Sequence, residues 1–136
     1  MGTRSLTHVK DKKGKTIVTI YCQFDGYPEG MGQDLLNFIK GGQVVNGFGM
    51  GAEFGQVFNG IEDFAAQLVT HLKGDQVGNV YLYPPNSKDC WEDYVYTIKP
   101  DKSGKLQITC VEVGWGEHPS QTLNLEEALK TPKEAQ

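Results

Sequence analysis

Three stretches of this 136-residue chain hold residue types at spacings that could do chemistry. The first is Asp25-Gly26-Tyr27-Pro28-Glu29-Gly30-Met31-Gly32, where a strand end should meet a helix start. There the backbone N–H groups of Gly30 to Gln33 could point at an anion. Asp25, Glu29 and Asp34 crowd the same spot, and an acidic first-turn residue already complements the helix dipole by about 0.3–1 kcal/mol. A phosphate would have to outcompete them, so a cationic, amide or hydroxyl-bearing group suits the turn better. The simpler alternative is a rigid Gly/Pro turn that binds nothing.

The second stretch, Gly47-Phe48-Gly49-Met50-Gly51-Ala52, matches the G-x-G-x-x-A form of the dinucleotide fingerprint. That motif needs a preceding strand and an uninterrupted helix after it. Only Val44-Val45 precedes it, and Gly55 and Gly60 would break any helix on its C-terminal side, so no nucleotide cofactor is expected. The third stretch runs from Tyr81 to Tyr94 and carries Tyr83, Asp89, Cys90, Trp91, Glu92 and Asp93. Its carboxylates would suit Mg²⁺ or Ca²⁺ if Asp25 or Glu29 lay nearby. No calcium-loop pattern is present, however, and His8, His71 and His118 lack metal-ligand spacing. A solvated acidic loop is the plainer reading. Cys90 is a poor nucleophile, because acidic neighbours raise a thiol's pKa. Cys22 and Cys110 read as small core residues, and three cysteines without a Cys-x-x-Cys pair read as reduced thiols.

Composition narrows the classes. The chain carries 13 Lys+Arg against 17 Asp+Glu, a net charge of −4, with no basic stripe to track a phosphate backbone, so nucleic-acid binding is disfavoured. No apolar run reaches the roughly 20 residues that span a bilayer, and the N-terminal residues lack a signal peptide's apolar stretch. The expectation is a soluble, cytoplasmic, single-domain protein over residues 1–136, frayed from 131 onward, with no membrane partner. The 17 glycines are in excess, and seven of them fall between 41 and 60 among Val44, Val45, Phe48, Phe54, Val57 and Phe58. That region reads as an ordered loop packed on the domain, with a short strand or bulge.

Periodicity predicts the elements that must position these residues. Thr16 to Phe24 alternates with period two, and Asp11-Lys12-Lys13-Gly14 joins it to a weaker edge strand over 4–9. A short helix runs to about Lys40. Ile61, Phe64, Ala65, Leu68, Val69 and Leu72 fall on one face of a second helix, opened by a capping box of Asn59 and Glu62 and stopped by Gly74. Strands come next near 79–83, 93–99 and 105–113, the last two joined by Pro100-Asp101-Lys102-Ser103-Gly104, and a short helix over about 125–130 closes the chain. The predicted fold is α+β: a mostly antiparallel sheet of about five strands with two main helices on one face and a short C-terminal helix. Val18, Ile20, Cys22, Leu106, Ile108 and Cys110 should face the helices. Thr19, Tyr21, Thr109 and some of the tyrosines at 81, 83, 94 and 96 should lie opposite.

The run Tyr21-Cys22-Gln23-Phe24-Asp25-Gly26-Tyr27-Pro28-Glu29-Gly30-Met31-Gly32 carries a resemblance, together with Ala65-Ala66-Gln67-Leu68, Tyr81-Leu82-Tyr83-Pro84, Asp89-Cys90 and Tyr94-Val95-Tyr96. Over roughly residues 15 to 113 the chain resembles a family of uncharacterised bacterial and bacteriophage proteins. The resemblance brings no activity with it. It implies a phage or prophage setting, which favours a small protein that binds a host protein or sequesters a small signalling molecule.

The expected function is therefore non-enzymatic binding of a small molecule or a host protein, with no cofactor. One face would be built from Asp25, Tyr27, Glu29, Gly30 and Gly32 with Tyr83, Asp89, Trp91 and Glu92, the aromatic rings stacking and the carboxylates orienting. Two alternatives stand beside it. One is a small metal-assisted hydrolase using Asp25, Glu29, Asp89 and Glu92, which requires their carboxyl groups to converge. The other is a homo-oligomer formed through the Thr/Tyr face of the sheet.

Overall fold

The computed structural model describes residues 2–40, 42–45, 57–127 and 129. Within them the period-two alternation forms strands and the i, i+3, i+4 pattern forms a helix. The elements in chain order are β1 (Ser5–Lys10), β2 (Thr16–Cys22), a π-helical turn (Pro28–Gly32) continuing into α1 (Gln33–Ile39), β3 (Gln43–Val45) and β4 (Val57–Asn59). Then come α2 (Ile61–Lys73), β5 (Val80–Tyr83), β6 (Tyr94–Pro100), β7 (Leu106–Glu112) and β8 (Gln121–Leu123). A short C-terminal helix, α3, has helical residues at 125–127 and 129.

One six-stranded sheet of order β5-β2-β1-β6-β7-β8 organises the chain, and β3 and β4 form a separate parallel pair. Every pairing in the large sheet is antiparallel except β1 with β6. The architecture is thus α+β with a mostly antiparallel sheet, as the sequence implies, and β8 is the strand its periodicity does not announce. β1 is not the edge strand expected. It lies in the middle, antiparallel to β2 and parallel to β6, with Ser5 opposite Tyr94 and Val9 opposite Ile98. Its few apolar residues suggested an exposed edge, but Ser5 and Thr7 are small enough to be buried there, both without exposure.

The helices cover one face of the sheet. Val9, Ile20, Cys22, Tyr96, Ile98, Leu106 and Cys110 pack beneath Leu35 and Ile39 of α1 and Phe64 and Leu68 of α2. Phe58 joins them, its ring 4.9 Å from Phe64 in an edge-to-face contact. Of the four tyrosines in question, Tyr94 and Tyr96 lie on this helix side, in register with Glu112 and Cys110. Tyr81 and Tyr83 lie opposite, in register with Tyr21 and Thr19.

Helix α2 ends as its sequence directs, with Gly74 at φ +52 donating its N–H to the Thr70 carbonyl at 2.9 Å. Its start differs from the expected capping box. Gly60 is the N-cap, and the carboxylate that reaches back to the Asn59 N–H is that of Asp63, at 2.9 Å, rather than Glu62. Between β1 and β2, Asp11 Oδ1 accepts from the N–H groups of Lys13 and Lys15, both at 2.9 Å, and fixes the hairpin turn with Gly14 at φ +91.

Topology makes the β5-to-β6 connection special. Both strands run parallel to β1, so the intervening residues 84–93 must cross β2 and β1 on the face the helices leave bare. Asn86 at φ +67 anchors the crossing: its N–H donates to Thr19 Oγ1 at 3.0 Å and its Oδ1 accepts from the Thr16 hydroxyl. The same Thr19 hydroxyl lies 2.8 Å from His8 Nδ1, and Tyr83 stacks on Tyr21 with ring centroids 4.9 Å apart. Leu6, Thr19 and Tyr21 are buried as a result. Over β1 and β2 the chain's own crossover thus covers the Thr/Tyr face considered for self-association.

Candidate functional site

The crossover ends in a loop that the backbone does not adopt freely. Asp89 and Trp91 have φ of +59 and +66, the left-handed region. A bulky residue such as Trp is a true outlier there, at a cost of about 1–2 kcal/mol. Glu92 holds the conformation: its Oε1 accepts from the Cys90 N–H at 2.7 Å and its Oε2 from the Asp89 N–H at 3.3 Å. The carboxylate therefore closes a tight turn on its own loop, and Trp91 at its apex is 84% exposed.

Asp93 joins this loop to two other segments. Its backbone N–H donates to the Arg4 carbonyl at 2.8 Å, and its Oδ2 accepts from the Arg4 N–H at 3.1 Å. Its carbonyl accepts from the Val113 N–H at 2.9 Å. The β7–β8 connection thereby runs alongside the crossover loop and brings in Trp115, 78% exposed. There Gly114 donates to Ser120 Oγ at 2.8 Å and His118 to the Trp115 carbonyl at 3.1 Å. Both tryptophans of the chain thus line one open cleft of about 610 Å³, together with Val113, Arg4, Asp89, Glu92 and Asp93. The Arg4 guanidinium lies beside the Tyr21 hydroxyl, on the flank where the crossover passes.

Of the residues singled out from sequence, Asp89, Trp91, Glu92 and Asp93 line this cleft and the others do not. Tyr83 serves the crossover through its stack on Tyr21. The 25–32 turn lies at the same end of the sheet but on the helix side. The Gly26 N–H donates to the Thr3 carbonyl at 2.8 Å, and the buried Tyr96 hydroxyl donates to the Gly26 carbonyl at 2.7 Å. Gly26 and Gly30 are both required by close approach, since a Cβ would fall 2.8 Å from the Ser5 Cβ and 2.5 Å from the Asp25 carbonyl oxygen respectively. Gly32 is buried beside Leu125 and Tyr96.

The backbone N–H groups of this turn are not left open for an anion, which the acidic neighbours already disfavoured. Gly30 and Gly32 donate to the Tyr27 carbonyl, Met31 to the Asp25 carbonyl, and Gln33 to carbonyls of its own turn. The N–H groups that would face an anion are consumed by the π-helical turn itself. Asp25, at φ +58, accepts from the Tyr27 hydroxyl at 3.1 Å, and this bond to a carboxylate raises the phenol's pKa.

Nor do the carboxylates of Asp25, Glu29, Asp89 and Glu92 converge. Among the described residues no three His, Cys, Asp or Glu side chains are placed to hold a metal ion. Burial, then Glu92 and Asp89, push the Cys90 thiol's pKa up, as its acidic surroundings suggested. Burial pushes Cys22 to about 12 and Cys110 to about 11. The Gly47–Ala52 fingerprint lies outside the described residues. No described helix is long and apolar enough to cross a membrane.

Sequence reasoning missed Arg4 and Trp115. Arg4 carries no motif. Trp115 had a signal, since Gly114-Trp115-Gly116 sets a large aromatic between glycines with no apolar periodicity around it. Comparison of the chain with known protein families, characterised proteins and solved structures returned no match.

Proposed function

We propose that the protein is a non-enzymatic binding protein that captures its ligand in the cleft between Trp91 and Trp115. One observation carries the reading: both tryptophans of the chain are nearly fully exposed, and they line a single cleft. Isolated exposed apolar residues are ordinary, but a paired aromatic patch on a polar rim is characteristic of recognition sites. The strained backbone at Trp91 points the same way. A folded chain tolerates such an outlier only where its surroundings enforce it, and the Glu92 clamp does so in order to hold an indole out in water. The hydrolase alternative lacks the convergent carboxylates it requires.

Native mass spectrometry of the protein isolated from its natural host tests the proposal. The wild type should carry a bound molecule or partner that Trp91→Ala/Trp115→Ala loses while remaining folded. A wild type carrying nothing, or a double variant with undiminished occupancy, would contradict it.

A further inference from the structure

We infer that the occupant of the Trp91–Trp115 cleft is a basic segment of a partner protein, which inserts a lysine or arginine side chain between the indoles; this rests on the binding function proposed above. Two independent features of the cleft agree on the charge. Indole faces attract cations through their negative quadrupole. The lining sets the carboxylates of Asp89, Glu92 and Asp93 against the single guanidinium of Arg4, which stands beside Tyr21. The whole chain adds to the bias with a net charge of −4. An anion would meet repulsion from the three carboxylates.

The shape selects the source of the cation. A small-molecule site encloses most of its ligand, whereas here the two indoles are 84% and 78% exposed. Such an open cleft leaves a free small cation largely in water. A side chain presented on a polypeptide, with flanking residues to cover the indole faces, would bury them. Exposed tryptophans that become buried in this way are the usual energetic centre of protein interfaces.

Calorimetric titration of the full chain with short peptides tests the inference. The probes are one peptide containing lysine and arginine, the same peptide with glutamine at each basic position, the same with glutamate, and the small cation tetramethylammonium. The basic peptide should bind, more weakly as salt is raised, and the glutamate peptide should not. Trp91→Ala and Trp115→Ala should each weaken it by roughly tenfold although neither changes the charge, which separates insertion from nonspecific attraction. Asp89→Asn, which suits a left-handed backbone and removes one carboxylate of the cleft, should weaken it severalfold. Equal binding of the glutamine peptide through the tryptophans would overturn the charge argument and leave the cleft a binding site. Tetramethylammonium binding as tightly as the basic peptide would overturn the protein partner. Basic-peptide binding indifferent to both tryptophans would overturn the inference and the cleft reading together.

Discussion

If Trp91 is held outward by a strained backbone, removing its side chain should cost little, and glycine should serve better than alanine. Its exposure of 84% leaves about one-sixth of the residue covered. For a side chain of roughly 250 Å² that is about 40 Å², or about 1 kcal/mol. Trp91→Ala should therefore destabilise by about 1 kcal/mol, against the 3–5 kcal/mol typical when a buried Trp is truncated. At φ +66 a Cβ is unfavourable, so Trp91→Gly, which loses the same contacts, should be more stable than Trp91→Ala by about 1 kcal/mol and close to wild type. This inverts the usual order of the two residues. Urea melts of the three proteins read it directly, and thermal melts should separate the two variants by about 4 °C. Alanine as stable as glycine, or a loss of 3 kcal/mol or more from both, would refute the account of the loop.

The geometry predicts four further outcomes. Thr7 Oγ1 is fully buried on the central strand and finds no partner among the described residues, so Thr7→Val should stabilise by about 1 kcal/mol in a urea melt. Tyr96→Phe strands the Gly26 carbonyl and should cost about 1–2 kcal/mol, while Tyr94→Phe, whose hydroxyl makes only a long contact with Glu112, should cost less. Burial and Lys10 lower the pKa of His8 from the ordinary 6.5, outweighing the opposing pull of Glu92. The native state then binds fewer protons than the unfolded one just below that value, so stability should fall as pH drops through it. His8→Gln should flatten that part of the pH profile, and an unchanged slope would count against the assignment. A chromogenic disulfide reagent should modify only Cys90 in the native protein, slowly, with Cys22 and Cys110 reacting after denaturation.

Local order was legible in the sequence and long-range assembly was not. The unbroken apolar stripe of α2, the alternation of β2 and the Asp-Lys-Lys-Gly and Pro-Asp-Lys-Ser-Gly turns each encode their element within a dozen residues. Nothing within that distance reports that β1 pairs with β6, nearly ninety residues away, since Ser5 and Thr7 would suit an edge as well as a buried centre. The cleft has the same character. Its Arg4, its 89–93 loop and its 113–115 segment meet only because Asp93 bonds to Arg4 on one side and Val113 on the other. Trp91 stood out through the carboxylates beside it, whereas Trp115 has only its flanking glycines as a signal, and a large exposed aromatic cannot be told from a core one until its neighbours are known. The 25–32 turn attracted notice for the opposite reason: glycines placed for close packing on Thr3, Arg4 and Asp25 look, in sequence, like glycines placed to cradle a ligand.

The central claim, one cleft lined by Trp91 and Trp115, is tested most directly by tracking their indole N–H signals in a nitrogen-15 correlation spectrum while the lysine- and arginine-containing peptide is added. The chain has two tryptophans, so two indole signals report the whole site, and Trp91→Ala and Trp115→Ala assign them. Both signals should shift along a single saturating curve with one Kd. Signals that stay still while the peptide binds, or that saturate with different constants, would contradict it.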